Sequence, residues 1–438
     1  MASNSSRDRL SVFRSGKVGA GVVVLIVLVC LGVVGGSTWL AKRSQQLAED
    51  AVVQAREAAA KAQAEAQSKA SESLKLADQA QPPADPAPTT LDQTKAPQPP
   101  AGAIDTAAIR FGTRATPRKS DVVRIATYNV ANLFDDKDDP KLSGQYDDMN
   151  SVKPKAELDG VAAAIHAIDA DVLVVEELES QEVLTWFRDT YLSDMGYTTA
   201  ISLDAGDPRG IEQGVLSRFP VIEPTVWLQM PLKGAHPKGA DDAPEGSPIV
   251  FHRSPFRVDV IVPAGARGNP RDYNFTVFAV HEKSGRNSAY WREAEAAGTV
   301  QLIQQDTVDD PARNVVVMGD FNAVQSDASF RTFVSSGLID LYADRRPEDP
   351  ATTTHESGRS IDHILVNAAM MPEVIRDSRF VFGTPARPKG VDYRTYPAPK
   401  GYASDHYPVV VDIRPMEGGA APATPQNQGA KAVDPAAK

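Results

Sequence analysis

The sequence holds one cysteine, Cys30, in 438 residues, so no disulfide can form within the chain. The same scarcity excludes a cysteine-rich zinc centre, which needs several thiolates or imidazoles together. Positive charge is also in short supply. The 46 Lys and Arg against 57 Asp and Glu leave a net charge of -11, which argues against a protein held on nucleic acid by bulk attraction. It does not exclude an enzyme that meets phosphate locally through a metal ion. No internal repeat is present. At 42% hydrophobic and 24% charged, the chain can bury a sizeable core, but its composition is uneven along its length.

Residues 18–41 form an uncharged run of 24, rich in Val, Leu, Ile and Gly, long enough as a helix to cross a bilayer. Arg7, Arg9, Arg14 and Lys17 precede it, against Lys42 and Arg43 after it. This bias predicts a cytoplasmic N-terminus (1–17), a transmembrane signal anchor (18–41) and everything beyond outside the cytoplasm. A cleaved, secretory signal peptide is the competing reading, against which Trp39-Leu40-Ala41 is a poor cleavage site. Either way the remainder is exported. Residues 42–80 are rich in Ala, Glu, Gln and Lys and read as a helical spacer. Residues 81–119 begin Pro-rich and read as an extended linker. The tail, 416–438, is biased toward Gly, Ala, Pro and Gln and reads as disordered.

Between them, 120–415 has the texture of a folded domain. Strands are expected at 122–130, 171–175, 213–217, 257–262, 274–281, 313–318, 361–366 and 408–413. Helices are expected at 154–168, 181–192 and 287–305, and a surface loop at 232–250. Adjacent strands with few intervening helices predict an α+β arrangement. Polar groups follow directly on these apolar runs: Asn129, Glu176 and Glu177, His281, Asp320 and Asn322, Asp362, then Asp405 and His406. Buried carboxylates are costly unless paired or bound to metal, so many such strand ends imply one shared site. Oxygen donors suit a hard cation such as Mg²⁺, and imidazoles suit acid–base work. A carboxylate at a strand end is by itself more often a turn former, so the number and order of these ends carry the inference.

In this order the segments RIATYNVANLFD, DVLVVEELE, GVLSRFPV, VFAVHEKS, VVMGDFNAVQSD, SIDHILVN and SDHYPVVVDI resemble the endonuclease/exonuclease/phosphatase superfamily of pancreatic-deoxyribonuclease-like phosphoesterases. The resemblance implies a four-layer α/β/β/α sandwich with two packed mixed β-sheets. It implies Mg²⁺, with Mn²⁺ as substitute, held by Glu177 with Asn129 and Asp405. His406, oriented by Asp362, would manage the attacking water. Asp320 and Asn322 would position nucleophile and phosphoryl oxygen, and His281 would stabilise the phosphate or protonate the leaving group. Ala131 stands where relatives often carry an acid, which weakens the case for a second metal. The acid that pairs with His281 is not identified, Glu212 being a candidate. Arg253 is a candidate phosphate contact, while His166, His236, His355 and His363 read as structural.

The resemblance is strongest to extracellular nucleases, which makes DNA or RNA the expected substrate. A lipid or small-molecule phosphodiesterase or phosphatase of the sphingomyelinase kind is the alternative, favoured by the membrane run and the acidic charge. A degenerate binding domain is the third. An inositol phosphatase is disfavoured, because GDFNAVQ departs from that branch's pattern.

Overall fold

The computed structural model describes residues 104–240, 243–392 and 395–417. The expected signal anchor, helical spacer and most of the linker and tail lie outside the described residues. Among the described residues no helix is long and apolar enough to cross a membrane.

The elements run β1 (Val123–Leu133), α1 (Lys155–Ile168), β2 (Val172–Leu178), α2 (Gln181–Tyr191), β3 (Thr199–Leu203), β4 (Glu212–Ser217) and β5 (Val221–Thr225). They continue with β6 (Pro231–Ala235), β7 (Pro248–Val250), β8 (Phe256–Val262), β9 (Tyr273–His281), α3 (Ala289–Thr307), β10 (Val315–Asp320) and α4 (Ala328–Ser335). Last come β11 (Ile339–Asp340), β12 (Asp362–Val366), β13 (Val374–Val381) and β14 (Val409–Ile413).

Twelve strands form two sheets of six, ordered β13-β14-β1-β2-β4-β3 and β11-β12-β10-β9-β8-β5. Each sheet is mixed, with one parallel pair, β1 with β2 and β9 with β10, among antiparallel neighbours. Side-chain alternation makes the layers. Val123, Ile125, Val172 and Val174 of the first sheet meet Val258, Val277, Val316 and Ile364 of the second in one buried core. The alternate residues of the first sheet, Ala126, Leu173 and Val175, face outward to Leu158, Val161 and Ile165 of α1 and Leu184 and Phe187 of α2. Those of the second, Phe278, Val280 and Val317, face Trp291 and Leu302 of α3 and Phe330 and Phe333 of α4.

The helices have local causes. The α1 stripe of Leu158, Val161, Ala162, Ile165 and Ile168 repeats at helical spacing, and the helix stops at Asp169 with φ 49°. Ser180 caps α2, its hydroxyl accepting from the Val183 N–H at 3.2 Å.

Two expectations are corrected. Residues 104–119 are not wholly linker. The Asp105 N–H donates to the Lys400 carbonyl at 3.1 Å, and the Gly112 and Thr113 N–H groups donate to Pro350 and Val381. The span 232–250 is not all loop, because β6 and β7 pair antiparallel, and Leu232 and Ile249 bury against the Trp291 cluster. Only Leu232 of β6 is buried, too little for an alternation signal.

Candidate active site

Strand parity carries the polar residues to one place. On β1 the core-facing set Val123, Ile125 continues two by two to Asn129, and on β9 Val277 and Ala279 lead to His281. On β10 Val316 and Met318 lead to Asp320, and on β12 Ile364 is preceded on the same face by Asp362. Asp320 pairs in register with His281 on one side and with Asp362 on the other. Glu177 falls on the wrong parity for this face. A register shift between Glu176 and Leu178 and a φ of 62° at Glu177 turn it. A positive φ is costly for Glu, and such strain persists where the surroundings enforce it, often at functional sites.

At the centre, His406 Nδ1 lies 2.9 and 3.0 Å from the two carboxylate oxygens of Asp362. This fixes the ring and leaves Nε2 facing Asp320 Oδ2 at 3.8 Å. Asp320 is held by donors: the Asn322 N–H at 2.8 Å, and the Asn322 and Asn129 amides each at 3.2 Å. The Asn322 amide also donates to the Glu282 carbonyl at 3.0 Å, and its φ of 48° is one Asn tolerates. His281 Nε2 stands 3.6 Å from Asp320 Oδ2 and 3.7 Å from Glu177 Oε1. Its Nδ1 is buried without a hydrogen-bond partner among the described residues. Asn129 and Glu177 thus join the centre through Asp320 and His281. Asp405 joins it on another flank, where its carboxylate lies 3.4 Å from His355 Nε2, and no contact links it to Glu177 or Asn129 among the described residues.

The connecting segment is tied down twice. The Ser404 hydroxyl donates to the Asn129 carbonyl at 2.8 Å and accepts the His406 N–H at 3.1 Å. The Thr354 hydroxyl accepts the N–H groups of Ile361 and Asp362 at 2.9 and 3.0 Å.

Electrostatics divide the roles. Burial pushes the Asp320 carboxyl up to about 6, with the Asp362 and Glu177 charges adding to it against the opposing pull of His406. Burial would lower His406, but the Asp362 and Asp320 carboxylates outweigh it and hold the imidazole well above its ordinary range. Burial, then the charges of Arg253 and His406, hold His281 well below it. At Asp405 burial is outweighed by the His355 hydrogen bond and the His406 charge, leaving the carboxyl well below the usual range.

Some sequence readings change. Arg253 is 3% exposed and fully engaged. It donates to the His281 and Glu282 carbonyls at 2.9 and 2.8 Å and to Asp207 at 2.6 Å, so it braces β9 rather than meeting phosphate. Glu212 bonds Ser202 and is not the partner of His281, whose neighbouring acids are Glu177 and Asp320. His355 is not merely structural, because its ring crosses that of His406 edge-on at 4.6 Å and its Nε2 meets Asp405. Arg209 and Lys153 also went unrecognised. Arg209 donates to Asn132 at 2.8 Å and is among the charges acting on His281. Lys153, 4% exposed, donates to the Ala131 carbonyl at 3.0 Å and feels the charges of Asp405 and Glu177. No motif marks either residue. His363 is structural as read, its Nε2 at 2.9 Å from the Ala323 carbonyl.

The donor set suits a hard divalent cation. Asp320 and Asp362 are buried carboxylates in one centre with Glu177 beside them, and oxygen donors so gathered suit a cation. Asp320, Asp362 and His406 also place one ligand atom each within 4.8 Å of the others.

The fold is similar to that of several solved structures. The human Nocturnin catalytic domain with bound sulfate is 15% identical, covering 67% of this chain and 94% of that one, at a TM-score of 0.43. The mannosyl-6-phosphatase of Bacteroides thetaiotaomicron is 18% identical, covering 66% and 99%, at 0.42. An endonuclease/exonuclease/phosphatase from Bacteroides vulgatus is 17% identical, covering 67% and 98%, at 0.42. No curated protein matches the chain. The model of the Endonuclease/Exonuclease/phosphatase family matches residues 126–406, from within β1 to His406. Members of that family are divalent-metal-dependent phosphoester hydrolases. With nearly two thirds of its length so matched, the chain belongs to the Endonuclease/Exonuclease/phosphatase family.

Proposed function

We propose that the chain is an extracytoplasmic phosphodiesterase that uses Mg²⁺ and cleaves nucleic acid. The observation that carries this reading is the buried His406–Asp362 pair facing Asp320, with His281 and Glu177 on the other side of that carboxylate.

Glu177 and Asn129, with Asp405, would hold the ion, which supplies charge relief at the phosphoryl oxygens when bound. The sequence reading gives His406 the water's proton, but the electrostatics favour an exchange of roles. A carboxyl raised to about 6 is a competent base near neutral pH, so Asp320 takes the proton from the attacking water. His406, held protonated by Asp362 and Asp320, presents an imidazolium to the phosphate and gives its Nε2 proton to the departing oxygen as that P–O bond breaks. His281 stays neutral and donates a hydrogen bond from Nε2. Asn322 holds Asp320 in place and is a positioning residue.

Nucleic acid is put before a small ester because the sequence segments resemble those of extracellular nucleases most, and Arg209 adds positive charge near His281. A lipid phosphodiester is the second reading, favoured by the uncharged run at 18–41. Hydrolysis of plasmid DNA, RNA, sphingomyelin and bis-p-nitrophenyl phosphate, each with and without EDTA, separates the two. DNA or RNA cleavage abolished by EDTA is expected, and turnover confined to sphingomyelin would overturn the nucleic-acid assignment. Glu177→Gln should raise the Mg²⁺ requirement by more than the roughly 10- to 100-fold typical of an outer-shell partner. An unchanged metal titration would remove Glu177 from the ligand set.

A further inference from the structure

The connection between β1 and α1 carries six acids, Asp135, Asp136, Asp138, Asp139, Asp147 and Asp148, against Lys137 and Lys141 up to residue 148. None of them takes part in the chemistry above. Asp138, Asp147 and Asp148 each place one oxygen within 4.8 Å of the others. Acidic clusters at a surface are common and mean little alone. Here a second observation points to a ligand. Asp148 is 2% exposed, and its Oδ1 is buried with no hydrogen-bond partner among the described residues. A buried carboxylate oxygen without a donor is costly, and a bound cation is one of the few things that relieves it.

The loop's own amides hold these carboxylates by one oxygen each. Asp148 Oδ2 accepts the Asp139 N–H at 2.9 Å, and Asp147 Oδ1 accepts the Met149 N–H at 3.1 Å. The second oxygen of each remains for another partner, and Asp138 is exposed enough to close over one. Lys137 does not fill that role, since its ammonium pairs with Asp135 at 3.1 Å.

We infer that this loop is a structural Ca²⁺ site built from Asp138, Asp147 and Asp148, separate from the catalytic centre. All-oxygen donors select a hard cation, and an irregular loop with one exposed ligand suits the flexible six-to-eight-oxygen shell of Ca²⁺ better than the strict octahedron of Mg²⁺. Carbonyls and waters complete the shell, and the expected affinity is that of extracellular modules, about 10⁻⁴ M. The loop bears on catalysis by position. It follows directly on the β1 residues that carry Asn129, and the Asp135 N–H donates to Glu179 Oε2 at 3.1 Å, two residues beyond Glu177.

The test uses the full-length chain, with CaCl₂ as probe, read by thermal unfolding and calorimetric titration. Ca²⁺ well above its Kd should raise the unfolding midpoint of the wild type by a few degrees. Glu177→Gln should keep that shift. Asp138→Asn/Asp147→Asn should lose it while keeping its response to Mg²⁺. If the double variant does not fold, Asp138→Asn alone, at an exposed position, decides by the same comparison. A full Ca²⁺ shift in the loop variant, loss of the shift in Glu177→Gln, or no shift in the wild type would each overturn the site.

Discussion

At the residue scale, the proposed chemistry rests on opposed protonation of two buried neighbours, Asp320 and His406, with a thermodynamic consequence. Asp320 is raised to about 6 from an ordinary value near 4. The folded state therefore binds a proton there more tightly than the unfolded one. The associated stability is present below about pH 4 and lost as pH rises through about 6. Part of that shift comes from the charge on Glu177, so an ion held by Glu177 lowers the Asp320 pKa, and by linkage ionised Asp320 tightens the ion. Mg²⁺ affinity, measured from the rise in unfolding midpoint, is expected to increase up to about tenfold from pH 5 to pH 7. Asp320→Asn should flatten that dependence, and a pH-independent affinity in the wild type would dismiss the coupling. His406→Ala removes the imidazolium while leaving the apolar core intact. A loss of about 10²- to 10³-fold in kcat is expected, with a lowered unfolding midpoint because the buried Asp362 carboxylate loses its partner. Asp362→Asn should reproduce much of that loss, because Asp362 orients the ring and holds its charge. Full turnover by a folded His406→Ala protein would reject the role.

At the element scale, the site is only as accurate as the strands that deliver it. Arg124 of β1 is 1% exposed and forks onto Asp412 of β14 at 2.7 and 3.1 Å, with further bonds to the Thr116 and Ile168 carbonyls. Asp412→Ala strands a buried guanidinium and should cost about 3–5 kcal/mol in urea unfolding. Arg124→Met/Asp412→Leu should recover most of it, because it is the unpaired charge that is expensive. A double variant no better than the single would mean the pair is itself the stabiliser. Much of this frame is legible in the sequence. The eight expected strands all occur, and the apolar run before Asp320 becomes Val315–Asp320, because continuous β-branched runs are a signal that burial on both faces requires. What escapes is at the edges. In β3 (TAISL) only Ser202 is buried, and β5 has no buried residue, so neither shows an apolar alternation. At the site, polarity at strand ends finds Asn129, His281, Asp320 and Asp362. It cannot find His355 or Arg209, which come from loops and reach the centre only through tertiary placement. Glu177 is legible as a residue but not as a geometry, since its turn depends on a bulge that no local pattern announces.

At the scale of the whole molecule, the catalytic domain is closed on itself. Its two sheets share one core, and each covers its outer face with its own helices. The sequence then sets this domain behind an uncharged run at 18–41 and a Pro-rich stretch beginning near 81. If that run is a signal anchor with the positive flank inside, the Pro-rich stretch lies outside the cytoplasm, where an extended backbone offers protease ready access. Brief protease treatment of intact cells should therefore release a soluble fragment beginning between about residues 81 and 104. That fragment should retain EDTA-sensitive hydrolysis, because the polar residues of the site all lie beyond residue 128. Complete protection in intact cells, with cleavage only after lysis, would place the domain on the cytoplasmic side. Spontaneous appearance of the domain in the medium, with no membrane-bound pool, would replace the anchor by a cleaved leader.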